Sequence, residues 1–303
     1  MSRLVLNEYN MFSDKIKNER DIYGISDVHS DSEKLYQVKE LLKEIKASTL
    51  LIAGDLIDST NDPRNAEIVD LLNEIAKKTL ILLVKGNHDT VYYGKDENGK
   101  RKEFISNDDS VFRELKTNDN IIVFDEGIQA VDIDKDIRVS GVTIPDSWYE
   151  NGEDSDEFDK MFINELKTII EKFNLALIHS PKGVVRDKVI KDYLGYLSQM
   201  NLYYCGHIHA GLMPIWARTE NMHWGFVGPY ASWFPKYAHG VINGENSAIL
   251  DSGGITKIAN SSEAGFMAST ANKAYAGEIE QIHLIPGDKN HLELNGRYKI
   301  KIH

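Results

Sequence analysis

The strongest constraint on this chain is three short apolar runs between Asp21 and Asp89, separated by helical repeats and each ending in polar residues. Asp21–Ser26 reads as a strand that closes on Ser26-Asp27-Val28-His29. Ser30 and Glu33 suit a capping box, and Leu35, Val38, Leu41, Leu42 and Ile45 then recur at helical spacing. Thr49–Ala53 is a second strand, ending at Gly54-Asp55. Asp62-Pro63 predicts the next helix start, with proline at the first helical position, and Ile68, Leu71, Leu72 and Ile75 mark its buried face. Leu80–Val84 is a third strand, followed by Gly86-Asn87-His88-Asp89. Strand, helix, strand, helix, strand in this order predicts parallel strands with right-handed crossovers. The polar residues then gather at the carboxyl edge of the sheet, where open α/β sheets place their sites.

Beyond this unit, Tyr92–Glu103 reads as a surface loop or hairpin. Ile121–Phe124, Ile128–Ile133 and Ile137–Val142 read as successive strands, with antiparallel pairing open. An acidic loop, Glu150–Asp159, runs toward a helix whose face is Phe162, Leu166, Ile169, Ile170 and Phe173. Leu175–Ile178 and Leu202–Cys205 are strands that end at His179 and at Gly206-His207-Ile208-His209, with a helix over Val185, Val189, Tyr193, Leu194 and Leu197 between them. Further strands are predicted at Ser247–Asp251, Ile279–Ile285 and Tyr298–Ile302. Without repeats or a change in composition, the whole of residues 1–303 reads as a single domain.

The net charge of −12 argues against a broad basic surface for gripping duplex nucleic acid. The single cysteine, Cys205, excludes an intrachain disulfide, reads as a buried strand residue and fits a reducing cytoplasm. Met1–Phe12 lacks the pattern of a signal peptide, and apolar runs such as Leu80–Val84 are too short to span a bilayer. The expectation is a soluble cytoplasmic protein of undetermined oligomeric state.

Five of the ten histidines, His29, His88, His179, His207 and His209, stand at predicted strand ends. Asp27/His29 and His207/His209 are spaced i, i+2, which in an extended backbone puts both side chains on one side, so that each pair can converge on one ion. The donors are carboxylate, imidazole and amide without thiolate, which suits Mn²⁺ first, with Fe or Zn²⁺ as alternatives. A carboxylate can bridge two such cations. Taken singly, Asp58 reads equally as a helix cap, Asn87 as a turn residue and His179 as a hydrogen-bonded core histidine, and Asp89 reads as a turn residue that bonds backbone.

The motif order Asp-x-His, Gly-Asp-x-x-Asp, Gly-Asn-His-Asp, a lone strand-end His and Gly-His-x-His resembles the calcineurin-like metallophosphoesterase superfamily. Here these are Asp27-Val28-His29, Gly54-Asp55-Leu56-Ile57-Asp58, Gly86-Asn87-His88-Asp89, His179 and Gly206-His207-Ile208-His209, all in register. The resemblance implies an α/β fold, an α/β/β/α sandwich of two mixed sheets flanked by helices. It implies two divalent transition-metal ions, one held by Asp27, His29, Asp55 and His209 and the other by Asp55, Asn87, His179 and His207. Asp55 and a hydroxide would bridge them, the hydroxide attacking phosphorus. His88, outside the coordination shell and oriented by Asp58, would protonate the leaving group or bind the phosphoryl group.

Two departures narrow the class. Phosphoprotein phosphatases of the superfamily carry arginine directly after the last Asp of the second motif, where this chain has Ser59. The stretches His209-Ala210-Gly211, Tyr237-Ala238-His239-Gly240 and Ser252-Gly253-Gly254-Ile255 resemble bacterial phosphodiesterase-type members instead. The expected substrate is a small phosphoester, with a diester ahead of a monoester or a nuclease substrate. A scaffold that keeps the fold without catalysis is the competing class, disfavoured by the intact histidine set. The aromatic-rich segment 213–237 reads either as packing or as a substrate wall, with Trp216, Arg218, His223 and Trp224 as its candidate binding residues.

Overall fold

The computed structural model describes residues 4–300 apart from 126, 145–170, 182–199, 214–216, 219–220, 226–235, 245–246 and 257–275. One seven-stranded sheet is built from β1 (Leu4–Ser13), β2 (Arg20–Ile25), β3 (Thr49–Ala53), β4 (Leu80–Val84), β7 (Ile121–Phe124), β15 (Gly277–Pro286) and β16 (His291–Lys299). A second is built from β8 (Gly127–Asp132), β9 (Ile137–Thr143), β10 (Phe173–Ile178), β11 (Leu202–Cys205), β12 (Asn221–Trp224), β13 (Lys236–Asn243) and β14 (Ala248–Asp251). Strands β5 (Val91–Lys95) and β6 (Arg101–Ile105) form a separate hairpin. Helices α1 (Ser32–Ile45), α2 (Asn65–Ala76) and α3 (Ser110–Leu115) complete the regular elements that position the site.

The first sheet runs β16-β1-β15-β2-β3-β4-β7 and the second β12-β13-β14-β11-β10-β9-β8, and both are mixed. Strands β2, β3, β4 and β7 are mutually parallel, as are β9, β10, β11 and β14. The sheets pack face to face because the central strands are apolar on both sides, the mark of strands covered on both faces. Leu50, Ile52, Ile81 and Leu83 face α1, α2 and α3, with Leu35, Val38, Leu72 and Phe112 in the same core. Their neighbours Leu51, Ala53, Leu82 and Val84 turn the other way, onto Val139, Leu175, Leu177, Leu202 and Leu250 of the second sheet. The period of two thus separates a helix-facing core from an intersheet core.

Several sequence expectations change. Helix α1 is capped by Asp31, whose side chain accepts from the Lys34 amide, and not by Ser30. The Ser30 hydroxyl instead donates to Asn65 Oδ1 at 2.9 Å and accepts the Asp58 amide at 2.9 Å. Helix α2 begins at Asn65, because Asp62 forms a turn with the Arg64 amide and side chain. β7 joins the first sheet, parallel to β4, while β8 and β9 pair antiparallel in the second. Phe173 opens strand β10 and is not on a helix face. The rest of that predicted helix, the acidic run Glu150–Asp159 and the helix over Val185–Leu197 lie outside the described residues. The last strand lies at His291–Lys299, earlier than predicted.

β1 has no counterpart in the sequence expectations, yet it sits inside the first sheet, parallel to β15 and antiparallel to β16. Its alternation of buried Val5, Asn7, Tyr9 and Met11 is interrupted by a polar residue on the inner side, which weakens the apolar signal. β12 lies within the aromatic segment and β13 begins at its end, and neither has a counterpart in the sequence expectations.

Candidate metal centre

The polar residues that follow β2, β3, β4, β10 and β11 come together where the carboxyl edges of the two sheets meet. The backbone is not extended there. Asp27, His29, Asp55, His207 and His209 all have positive φ, between 46° and 74°. Such left-handed residues cost on the order of 1–3 kcal/mol each and persist where surrounding contacts over-determine them. The i, i+2 side chains therefore converge through tight left-handed turns and not along a strand. Each turn is pinned: the Asp27 amide donates to the Gly54 carbonyl, and the His29 amide to the Asp55 carbonyl. Gly54, at φ +76°, and Gly86 leave room, since a Cβ on them would lie 2.6 Å from the His179 ring and 2.2 Å from Asp55 Oδ1.

Two buried groups of metal-competent atoms result, Asp27/His29/His209 and Asp55/His179/His207. The spacing argument for His207 and His209 thus needs correction, because they turn to different groups. His209 Nε2 lies 3.4 Å from Asp27 Oδ1 and 3.3 Å from His29 Nε2. His179 Nε2 lies 3.2 Å from Asp55 Oδ2 and 3.1 Å from His207 Nδ1. Asp55 also reaches the first group, its Oδ2 standing 3.7 Å from His29 Nε2. Its Oδ1 accepts the His88 amide at 2.9 Å. Asn87 Oδ1 is buried without a hydrogen-bond partner.

These residues fit two divalent cations on grounds of proton placement. His179 Nδ1 donates to the Ala53 carbonyl at 2.7 Å, and His209 Nδ1 donates to the Thr256 carbonyl at 3.1 Å. Each bond holds the Nδ1 proton and turns Nε2 into the centre as the nitrogen left to a proton or a cation. Imidazole nitrogens that face one another at 3.1–3.3 Å share either a proton or a cation between them. Asp55 favours positive charge at His179. Burial lowers the His179 pKa, yet the Asp55 carboxylate overrides it and lifts the group to about 9. His29 is pushed well below its ordinary range by burial and by His88 beside it, so it remains a neutral donor.

A third group, His29, Asp58 and His88, lies on the open side. The His88 ring stands edge-on to His29, with centroids 4.7 Å apart, and is only half-buried. Its Nδ1 donates to the Asp58 main-chain carbonyl at 3.1 Å, while the Asp58 carboxylate is 3.9 Å away. Asp58 therefore holds the ring chiefly through its backbone. Burial opposes charge on His88, but Asp55, the Asp58 carbonyl and the Asp58 carboxylate outweigh it and raise the pKa. Asp89 bonds turn backbone as expected, accepting the Ile57 amide at 2.9 Å and the Gly86 amide at 2.8 Å.

The family model for calcineurin-like phosphoesterases matches residues 21–211, most of the chain and every motif above. The chain is a calcineurin-like phosphoesterase. Such proteins are metal-dependent phosphoester hydrolases of α/β sandwich fold, which accords with the two mixed sheets and the His/Asp groups. Solved structures are similar at low identity. One, from Thermus thermophilus, has a TM-score of 0.48 at 13% identity, covering 79% of this chain and 92% of that one. An archaeal phosphodiesterase has a TM-score of 0.40 at 12% identity, covering 80% and 88%. A phosphoesterase from E. coli has 0.34 at 16% identity, covering 80% and 84%. No curated protein matches in sequence.

In this phosphoesterase Arg218 is the one candidate of the aromatic segment whose side chain is described. Trp216 lies outside the described residues, and His223 and Trp224 are on strand β12, where only the backbone is described. Arg218 is buried, its Nη1 2.7 Å from Glu278 Oε1 and its Nε on the Met213 carbonyl. Glu278 also accepts from His239 at 2.7 Å, and it is held well below the ordinary carboxylate range because His239 and Arg218 outweigh its burial. A guanidinium so engaged acts as a structural tie, and leaving one buried partner uncompensated costs about 3–5 kcal/mol. Arg218→Ala should therefore lower stability by about that amount in denaturant unfolding. KM for a phosphoester should stay unchanged in the folded fraction, and a raised KM at full stability would instead place Arg218 on the substrate.

Sequence reasoning missed the supports. Ala53 and Thr256 act through carbonyls, which leave no mark in residue type. The segment around Thr256 follows the matched region, yet the Ile255 and Thr256 amides bond the Ser26 and Asp27 carbonyls, and buried Lys34 donates to the Ile255 carbonyl. Among the described residues, no helix is long and apolar enough to cross a membrane.

Proposed function

We propose that this chain is a dinuclear phosphodiesterase, with one cation held by Asp27, His29, Asp55 and His209 and the other by Asp55, Asn87, His179 and His207. The position of Asp55 carries the reading: one carboxylate reaches both histidine groups while its second oxygen anchors the His88 amide. When bound, the cations would lend Lewis-acid charge to the phosphoryl oxygens and lower the pKa of water toward neutrality. The oxygen and nitrogen donor set favours Mn²⁺, with Fe or Zn²⁺ as alternatives.

The chain's own groups divide the remaining work. Asp27 and Asp55 supply the negative charge that keeps cations in a buried site. Ala53 and Thr256 hold two imidazoles in the ligating tautomer. His88 keeps its Nδ1 proton on the Asp58 carbonyl, so its Nε2 proton is the one delivered to the leaving oxygen. Solvent access on that side lets the ring be reprotonated between turnovers. The Asp58 carboxylate favours the cationic ring from a distance.

The preference for a diester rests on the resemblance of His209-Ala210-Gly211, Tyr237-Ala238-His239-Gly240 and Ser252-Gly253-Gly254-Ile255 to phosphodiesterase-type members, with Ser59 in place of the phosphoprotein phosphatases' arginine. The test is a panel pairing aryl and alkyl phosphodiesters with their monoesters, plus single-stranded DNA and RNA, on Mn²⁺-loaded protein. Faster cleavage of the diester than of its monoester supports the reading. Monoester preference or nucleic-acid cleavage would move the chain to another branch of the same chemistry.

A further inference from the structure

We propose that the β5–β6 hairpin is the arm that reads the substrate's phosphoryl group, with Arg101 binding its non-bridging oxygens and Tyr93 supporting Arg101. This rests on the hydrolytic reading above and adds a substrate-binding residue to it. The hairpin follows the His88–Thr90 turn directly, and its base is fastened to the segment after Asp58. The Thr60 amide donates to the Val91 carbonyl at 2.7 Å, and Thr60 Oγ1 donates to Ser106 Oγ at 2.8 Å. Asn61 Nδ2 donates to the Tyr93 carbonyl, and Asn61 Oδ1 accepts the Tyr93 amide. A lone two-stranded hairpin is marginal in water, so these ties give the arm a fixed direction.

Register places Tyr93 opposite Glu103, and Lys95 opposite Arg101, so Tyr93 and Arg101 share one face. That face meets the acid pair. Tyr93 Oη is 3.4 Å from His88 Nδ1. The Arg101 guanidinium carbon lies 3.9 Å from the centre of the Tyr93 ring, and its Nη2 lies 4.0 Å from Asp58 Oδ2. On the opposite face, Tyr92 and Phe104 stack with centroids 5.3 Å apart and stiffen the strands.

The geometry suits an anion. Arg101 is 60% exposed, and among the described residues Asp58 is its one ion-pair partner. That pair is too long for a hydrogen bond and contributes little to stability. A planar guanidinium on an aromatic face presents its remaining N–H groups as a fork that matches two phosphoryl oxygens. It also offsets the Asp58 carboxylate, which would repel an approaching phosphate in a chain of net charge −12.

The test compares Arg101→Ala, Arg101→Lys and Lys102→Ala in the full, Mn²⁺-loaded chain. Lys102 is the control because its ammonium lies over the Phe104 ring on the opposite face. Readouts are KM for an aryl phosphodiester, the inhibition constant of inorganic phosphate, metal content and thermal midpoint. Both Arg101 variants should raise KM and the phosphate constant by about 10- to 100-fold, with metal content and midpoint unchanged. Lys102→Ala should leave all four unchanged. Values for Arg101→Ala within twofold of wild type, or an equal loss in Lys102→Ala, would overturn the assignment. If wild type cleaves no phosphoester, the hydrolytic reading fails by itself. Calorimetric binding of inorganic phosphate then decides the arm, weaker binding in Arg101→Ala supporting it and equal binding overturning it.

Discussion

Asp55→Asn should leave a folded chain that holds at most one metal ion and hydrolyses phosphoesters at least about 1000-fold more slowly. The reasoning starts from charge. Among the proposed ligands only Asp27 and Asp55 are anionic; the others are imidazoles and an amide. Two divalent cations beside two carboxylates leave a net surplus of positive charge, and removing one carboxylate enlarges it inside a buried site. Coulomb repulsion there is screened far less than in water. Asp55 is also the residue that touches both groups, so its loss is not local to one ion. The fold should survive because asparagine keeps an oxygen for the His88 amide, and the sheet cores do not involve this side chain. Elemental analysis with circular dichroism checks this. Two retained metals with turnover near wild type would remove Asp55 from the bridging position.

His88→Ala should behave in the opposite way, keeping both metals and losing turnover by about 10²- to 10⁴-fold, the usual range for a general acid. The size should depend on the leaving group. An activated aryl alcohol departs without a proton, so its ester should be slowed least, and an alkyl ester most. Binding is expected to change little, because the ring's firm contact is with the Asp58 carbonyl. The contact of His88 with His29 and Asp58 offers another outcome, since those three side chains could themselves hold an ion. Loss of a metal in His88→Ala would make it a ligand. An equal loss for aryl and alkyl esters would make it a phosphoryl-binding group and not an acid.

The parts legible in sequence were those written in side-chain type. The apolar faces of α1 and α2, the strands β3, β4 and β11 and the strand-end histidines all lie where their patterns put them. The parts that were not legible depend on backbone or on distant pairing. Positive φ at Asp27, His29, Asp55, His207 and His209 could not be read from a spacing of two, which also suits a plain strand. β1 carries a weak apolar signal because Asn7 is buried among its apolar residues, and only pairing with β15 and β16 from the far end of the chain makes it a strand. Arg218, which the sequence left between packing and binding, is buried on Glu278, a partner distant in sequence. Arg101 sits in a run of charged residues that resembles any solvated loop. Only the hairpin register turns it toward His88.

The central claim is that two cations at Asp55 make one hydrolytic site. The direct measurement is a titration of metal-free protein with Mn²⁺, reading bound metal and hydrolysis of an aryl phosphodiester on the same samples. Activity should remain low through the first equivalent, rise as the second binds and reach a plateau at two ions per chain. A plateau at one ion, or a protein holding two ions and inert toward every phosphoester of the panel, would contradict the account.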